Sequence, residues 1–212
     1  MHSPRVSASA MERLVALGSG PLAVGSSRLD NLPAAGLVSL LSACDGFYAF
    51  ESALHVFPST STGSERGIVQ WNAPELWRYA FAGFAGGWFC FAEDVFGAQF
   101  AIDDDGVVSV LDPETAGLEH VANDIETWAQ LMLDDYRVLT GWPVAHDWQV
   151  ANGGLRAGRR LIPKVPFVLG GECSIDNLYD ADAVLAMLYR GDLAEQMRDL
   201  PDGTKVTLRV IG

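Results

Sequence analysis

The sequence predicts an α+β fold, with helices packed around a single antiparallel-type sheet and an α/β extension at the C-terminus. Three observations predict it. Between Trp88 and Thr115, short aromatic or β-branched runs alternate with acidic turns (WFCFAEDVFGAQFAIDDDGVVSVLDPET). On both sides of that stretch, apolar residues recur at helical spacing. Apolar residues make up 49% of the 212, enough for a substantial core, so the chain is neither a disordered acidic tail nor a fibrous sequence.

In chain order, the first thirty or so residues are rich in Ser, Ala and Gly, with a short helix expected over 11–17. A second helix follows Pro33, with Leu37, Leu40, Leu41 and Cys44 on one face, and Asp45-Gly46 ends it. Phe47 to Val56 alternates as a strand, 58–66 is a polar loop, and Ile68 to Trp71 reads as another strand. Asn72 with Glu75 has capping-box spacing for a short helix through Trp77. Three strands are then expected, 88–91, 98–102 and 107–111, joined by a turn through Glu93-Asp94 to Gly97 and a hairpin at Asp104-Asp105-Gly106. The second connection is too short for a parallel crossover, so these strands must be antiparallel. Asn123 with Glu126 caps the longest helix, whose stripe is Ile125, Trp128, Met132, Tyr136 and Leu139, and Gly141 with Pro143 stops it. From Ala145 to Ile162 the composition shifts to Gly and Arg, as in a connector. The tail offers a strand at 166–169, helical stretches near 182–189 and 193–200, and a last strand at 205–210. Three parts result: a variable segment 1–31, a core 32–144, and an extension 145–212 that packs on the core.

Charge is distributed unevenly. Between Arg78 and Arg137 stand twelve carboxylates and no Lys or Arg, whereas the rest of the chain is nearly neutral; this one region supplies almost all of the net −13. Such a field repels nucleic acid and anionic lipid and attracts a basic protein. Glu93, Asp94, Asp103, Asp104, Asp105 and Asp112 fall at turns of the expected meander, so they are the candidate partner-binding residues, exposed together. Three widely spaced cysteines, Cys44, Cys90 and Cys173, suit reduced thiols. Glu12 and Arg13 interrupt the early apolar run, and the run 79–92 is too short to span a bilayer, so a cytoplasmic protein is expected.

Motifs for chemistry are incomplete. Gly20 to Ser27 has P-loop spacing, but Ser26 stands where the phosphate-binding lysine belongs. Asp103, Asp105 and Asp112 imitate a calcium loop whose first ligand position falls on Ala101. There is no CxxC, HExxH or GxSxG, and the four histidines are scattered, so neither metal nor cofactor is expected. Glu93-Asp94 beside Asp103-Asp104 is the one pairing that an acid–base enzyme could use, if adjacent strands bring them together.

Taken whole, FAEDVFGAQFAID, the hairpin, VLDPET and the Trp-containing helix resemble the central signature of the SUKH superfamily, the Smi/Knr-like proteins. ACDGFYAFESALHVFP and the Trp71-Asn72 pair resemble that family's N-terminal half, and the segment from Lys164 onward resembles an extension carried by one bacterial branch. The resemblance implies an α+β fold without catalytic apparatus. Bacterial members are commonly immunity proteins that bind and block a cognate polymorphic toxin. A nuclease toxin would carry a basic groove that an acidic surface can fill. A regulatory or scaffold role of the yeast cell-wall type, and an enzyme using the acidic turns, are the alternatives.

Overall fold

Strands of three to six residues, several of them joined by tight turns, organise the chain. A computed structural model describes residues 8–24, 29, 32–63, 65–84, 86–201 and 203–204. Its main sheet contains β1 (Phe47–Ala49), β2 (Leu54–Val56), β3 (Phe89–Asp94), β4 (Gln99–Ile102), β5 (Val108–Leu111) and β6 (Leu118–Ala122). Spatial order equals chain order and every neighbouring pair is antiparallel. The expected three-strand meander is therefore present as β3 to β5, within an α+β fold. Its β4–β5 turn works as the sequence implies. Asp103 Oδ1 accepts from the amides of Asp105 and Val107 at 3.0 and 2.9 Å, and Gly106 takes the positive φ of 88° that a β-carbon would penalise.

Consecutive residues of β2, β3 and β4 are buried, the mark of a sheet covered on both faces. One face carries Phe91 and Phe100, which pack edge-on against Trp128 of α4 (Ile125–Leu139) with ring centroids 4.9 and 5.7 Å away. Helices α1 (Ala10–Leu17) and α2 (Ala35–Ala43) pack with α4 in this layer. Buried Leu14 joins the main core, so residues 10–17 belong to the folded body. Glu126 ties the layer together, its carboxylate accepting from the amides of Ala10 and Met11 at the positive end of the α1 dipole.

The other face carries Gln99, whose Oε1 accepts from Trp71 Nε1 at 2.7 Å. Trp71 lies on a one-turn helix, α3 (Ile68–Trp71), where a strand was expected. Asn72 does not cap a following helix either. Its side chain is spent on β3, donating to the Cys90 carbonyl at 2.7 Å and accepting from the Cys90 amide at 2.8 Å. A 3₁₀ turn at Arg78–Phe81 follows.

Other expectations shift by an element or a residue. Phe47 to Val56 is a hairpin, not one strand. Phe50, Glu51 and Ser52 all adopt left-handed φ (52°, 54° and 66°), costly for residues with a β-carbon. The tip is held from outside: Phe50 stacks on Tyr136 at 4.3 Å, and Gln149 donates to the Glu51 carbonyl at 2.8 Å. Asp124, not Asn123, caps α4, accepting from the Thr127 amide at 2.7 Å. Helix α4 stops before Gly141 as expected, but Pro143 also stands in the first turn of a further helix, α5 (Trp142–Asn152), which crosses the expected boundary at residue 144. Strand β6 had no counterpart in the sequence reading.

The extension holds a two-stranded antiparallel pair, β7 (Arg159–Pro163) and β8 (Leu178–Asp182), and one continuous helix, α6 (Ala183–Met197), in place of two helical stretches. Residues 167–169, expected as strand, form a 3₁₀ turn. Helix α6 lies against the 78–81 turn so closely that a β-carbon on Gly191 would meet Ala80 Cβ at 2.7 Å. The strand expected at 205–210 and the Gly25-Ser26-Ser27 part of the P-loop-like segment lie outside the described residues.

Trp128 is fully buried, as are Met132 beneath it and Ile125 above, while Glu126, Asp134 and Asp135 face solvent. Trp128→Ala should therefore destabilise the protein by about 3–5 kcal/mol in chemical unfolding; a near-neutral effect would contradict this packing.

Candidate functional site

The pairing registers place ionisable side chains in the interior. His55 stands opposite Glu93 across β2 and β3, and Glu93 stands opposite Gln99 across β3 and β4, so all three project from the same face. From the extension, β7 brings Arg160 onto them. Arg160 is 0% and Glu93 1% exposed. Arg160 Nη2 lies 2.7 Å from Glu93 Oε1, a charge contact off the line of a hydrogen bond, while Nη1 donates to the Arg159 carbonyl at 2.8 Å. His55 Nδ1 lies 3.1 Å from the same Glu93 oxygen, and Gln99 Nε2 donates to the other at 3.1 Å. On its far side His55 Nε2 faces Glu65 Oε2 at 3.4 Å without a hydrogen bond, and the Tyr48 hydroxyl donates to Glu65 at 3.0 and 3.1 Å. The His55 ring is fixed by stacking on Tyr48 at 4.3 Å and by the edge of Phe57 at 4.7 Å.

Each group's protonation follows from these neighbours. Burial strips His55 of water and lowers its pKa despite Glu93, so the ring is neutral and Nδ1–H is the donor to Glu93. Burial alone would raise Glu93, but Arg160 and the hydrogen bonds from His55 and Gln99 outweigh it and hold the carboxyl below its ordinary range. Above this cluster opens a cavity of about 510 Å³, bordered by His55, Glu65, Trp71, Glu93, Arg159 and Asp182. Its carboxylate at the floor, Glu93, is already neutralised by Arg160. Among the described residues no group of three or more His, Cys, Asp or Glu side chains could hold a metal ion.

The six candidate partner-binding residues separate. Glu93 and Asp94 are the last residues of β3 rather than members of an exposed turn, and both are buried. Asp94 accepts from the amides of Phe96 and Ala98 at 2.9 and 2.8 Å; burial pushes its pKa up to about 7. Neither can belong to an exposed acidic surface, which corrects the expectation for these two. Asp103 is half-buried as a turn former, whereas Asp104, Asp105 and Asp112 are exposed. The meander also sends them to different ends of the sheet. Asp103, Asp104 and Asp105 follow β4, while Asp94 and Asp112 lie at the opposite end, roughly 15 Å away at ~3.3 Å per residue. The acid–base pairing of Glu93-Asp94 with Asp103-Asp104 is thus excluded by the register. Sequence reasoning missed His55, Glu65, Arg160, Glu114 and Arg190. An arginine beginning the apolar run RRLIP was the one signal available for Arg160.

Removing Arg160 would leave a buried, uncompensated carboxylate. Arg160→Met should cost about 3–5 kcal/mol in urea unfolding, and adding Glu93→Gln should recover part of that loss; additive losses would show that the two groups are not coupled. Asp94 works against stability as pH rises. Between its ordinary value of 3.8 and about 7, the folded chain keeps a proton that the unfolded chain has released, so stability falls across that window. Wild type should accordingly lose melting temperature relative to Asp94→Asn between pH 5 and pH 8, and parallel pH profiles would contradict the burial of this proton.

No family model and no curated protein matches the chain. Among solved structures it is similar to one reported as the crystal structure of Atu4351 from Agrobacterium tumefaciens, with a TM-score of 0.55 over 85% of this chain and 87% of that one, at 15% sequence identity. At that identity the likeness is one of fold.

Proposed function

We propose that this chain is a non-enzymatic binding protein, an immunity protein of the SUKH type that neutralises a cognate polymorphic toxin in the cytoplasm by covering it. One observation carries the reading: the division of labour among the acids of the unbalanced region. Glu93 is neutralised internally by Arg160. Asp104, Asp105, Asp112, Glu119, Asp134 and Asp135 are exposed, and among the described residues none of them forms an ion pair. Carboxylates left solvated and unopposed cost the fold some self-repulsion and serve a basic partner by steering it. The α+β fold agrees with the one that the SUKH resemblance implies, and among the described residues no helix is long and apolar enough to cross a membrane.

The test is capture of toxin domains encoded beside the gene, followed by stopped-flow association. A variant combining Asp104→Asn, Asp105→Asn and Glu119→Gln should slow association about tenfold and change dissociation less. The wild-type on-rate should fall as salt shortens the screening length from ~30 Å at 0.01 M to ~8 Å near 0.15 M. Equal, salt-independent on-rates would remove the acidic surface from recognition.

A further inference from the structure

The end of the sheet opposite Asp104 and Asp105 carries a second concavity, of about 360 Å³, between the β3–β4 turn, the β5–β6 turn, residues 167–168 and α6. Asp94, Asp112, Glu114, Phe167 and Arg190 line it. Two of these are buried ionisable groups, Glu114 and Arg190, which lie near enough to feel one another's charge but, among the described residues, form no ion pair. Glu114 is 4% exposed; its Oε2 accepts from the Val168 amide at 2.9 Å, but its Oε1 is buried and has no partner. Arg190 is also buried, and it spends its donors on the Phe96 and Ala186 carbonyls and the Met187 sulfur, with no carboxylate within ion-pair distance among the described residues.

Asp112 and Glu114 face the single guanidinium of Arg190, so the concavity carries an excess of carboxylate even with Asp94 protonated, and Glu114 Oε1 lacks an N–H donor. Its walls are aromatic: Phe96 and Phe167 meet edge to face at 5.4 Å, a surface on which a flat cation and its methylene stem can lie. A planar guanidinium offers donors in several directions at once, whereas an ammonium offers a compact point charge that keeps its water.

We propose that this concavity receives an arginine side chain of the protein partner, with Glu114 as the carboxylate that it completes and Asp112 at the mouth. The proposal rests on the reading of the chain as a binder of a basic protein. It makes Glu114 a desolvated anchor, distinct from the steering carboxylates at the far end of the sheet.

The experiment titrates n-butylguanidinium and n-butylammonium into the full chain, followed by NMR. The guanidinium probe should saturate in the millimolar range and perturb residues 94–98, 112–115 and 167–168. Glu114→Gln keeps the acceptor for Val168 and should weaken the probe about tenfold, while Asp104→Asn with Asp105→Asn should leave it unchanged. If Glu114→Gln fails to fold, Asp112→Asn replaces it, with the same direction expected. No saturation, equal binding by Glu114→Gln, or tighter binding of butylammonium would overturn the assignment. The same variants are then assayed against the captured toxin. Wild-type capture with unchanged affinity in Glu114→Gln defeats the anchor and leaves the immunity reading standing; Glu114-dependent probe binding without any toxin capture defeats the immunity reading and leaves a guanidinium site.

Discussion

The buried contact between Arg160 and Glu93 is the constraint on which the rest of this structure depends. Glu93 sits near the end of a central strand, inaccessible to water and ionised. A lone carboxylate there would not be tolerated, because the desolvation of an ion far exceeds what a few neutral contacts return. Arg160, His55 and Gln99 together make it acceptable, and the most important of these comes from the extension. The sheet therefore cannot bury its second face with native chemistry until the tail has docked. Two further ties cross the same seam, Leu161 N to the Val95 carbonyl and Arg190 to the Phe96 carbonyl. Core and extension are thus joined by buried polar contacts, although composition alone would separate them.

An ion pair in this position is weak as a source of stability and strong as a source of specificity. A slip of one residue between β2 and β3 would turn His55 or Glu93 into the apolar layer under α4, leaving Arg160 opposite a hydrophobic side chain. The charge cluster fixes the register, and the register in turn decides where every turn of the meander lands. That is how one buried contact sets the external electrostatics. With Glu93 and Asp94 drawn inside, the exposed acids of the meander's turns lie at opposite ends of the sheet, Asp104 and Asp105 beyond β4 and Asp112 beyond β5. Asp104 and Asp105 are solvated at one end of the sheet, whereas at the other Asp112 is solvated and Glu114 is buried.

The strained hairpin tip at Phe50, Glu51 and Ser52 obeys the same logic of compensation at a distance. Three left-handed residues in a row persist because Tyr136 and α5 hold the tip, through ring stacking and the Gln149 hydrogen bond, and not because the local sequence prefers them. Capping is likewise tertiary where it departs from the simple pattern: Glu126 serves the N-terminus of α1, more than a hundred residues away in sequence, instead of its own helix.

By itself the sequence determined what depends on near neighbours. Helix α4 follows from apolar side chains at 3.6-residue spacing, the β3–β5 meander from alternating runs and the Asp103–Gly106 turn, and the concentration of acid in one region from composition alone. Each of these is written within about ten to fifteen residues, the range over which periodicity and turn geometry act. The tertiary structure decided the rest. It made Ile68 to Trp71 a helical turn, because Trp71 must reach Gln99, and it recruited β6 as an exposed edge that local pattern barely marks. Above all it sorted the acids. Whether a carboxylate is solvated or buried depends on which cation lies against it, and for Glu93 that cation stands on β7, far along the chain. No local pattern records such a pairing, since the energy that decides it exists only once both residues have left water together.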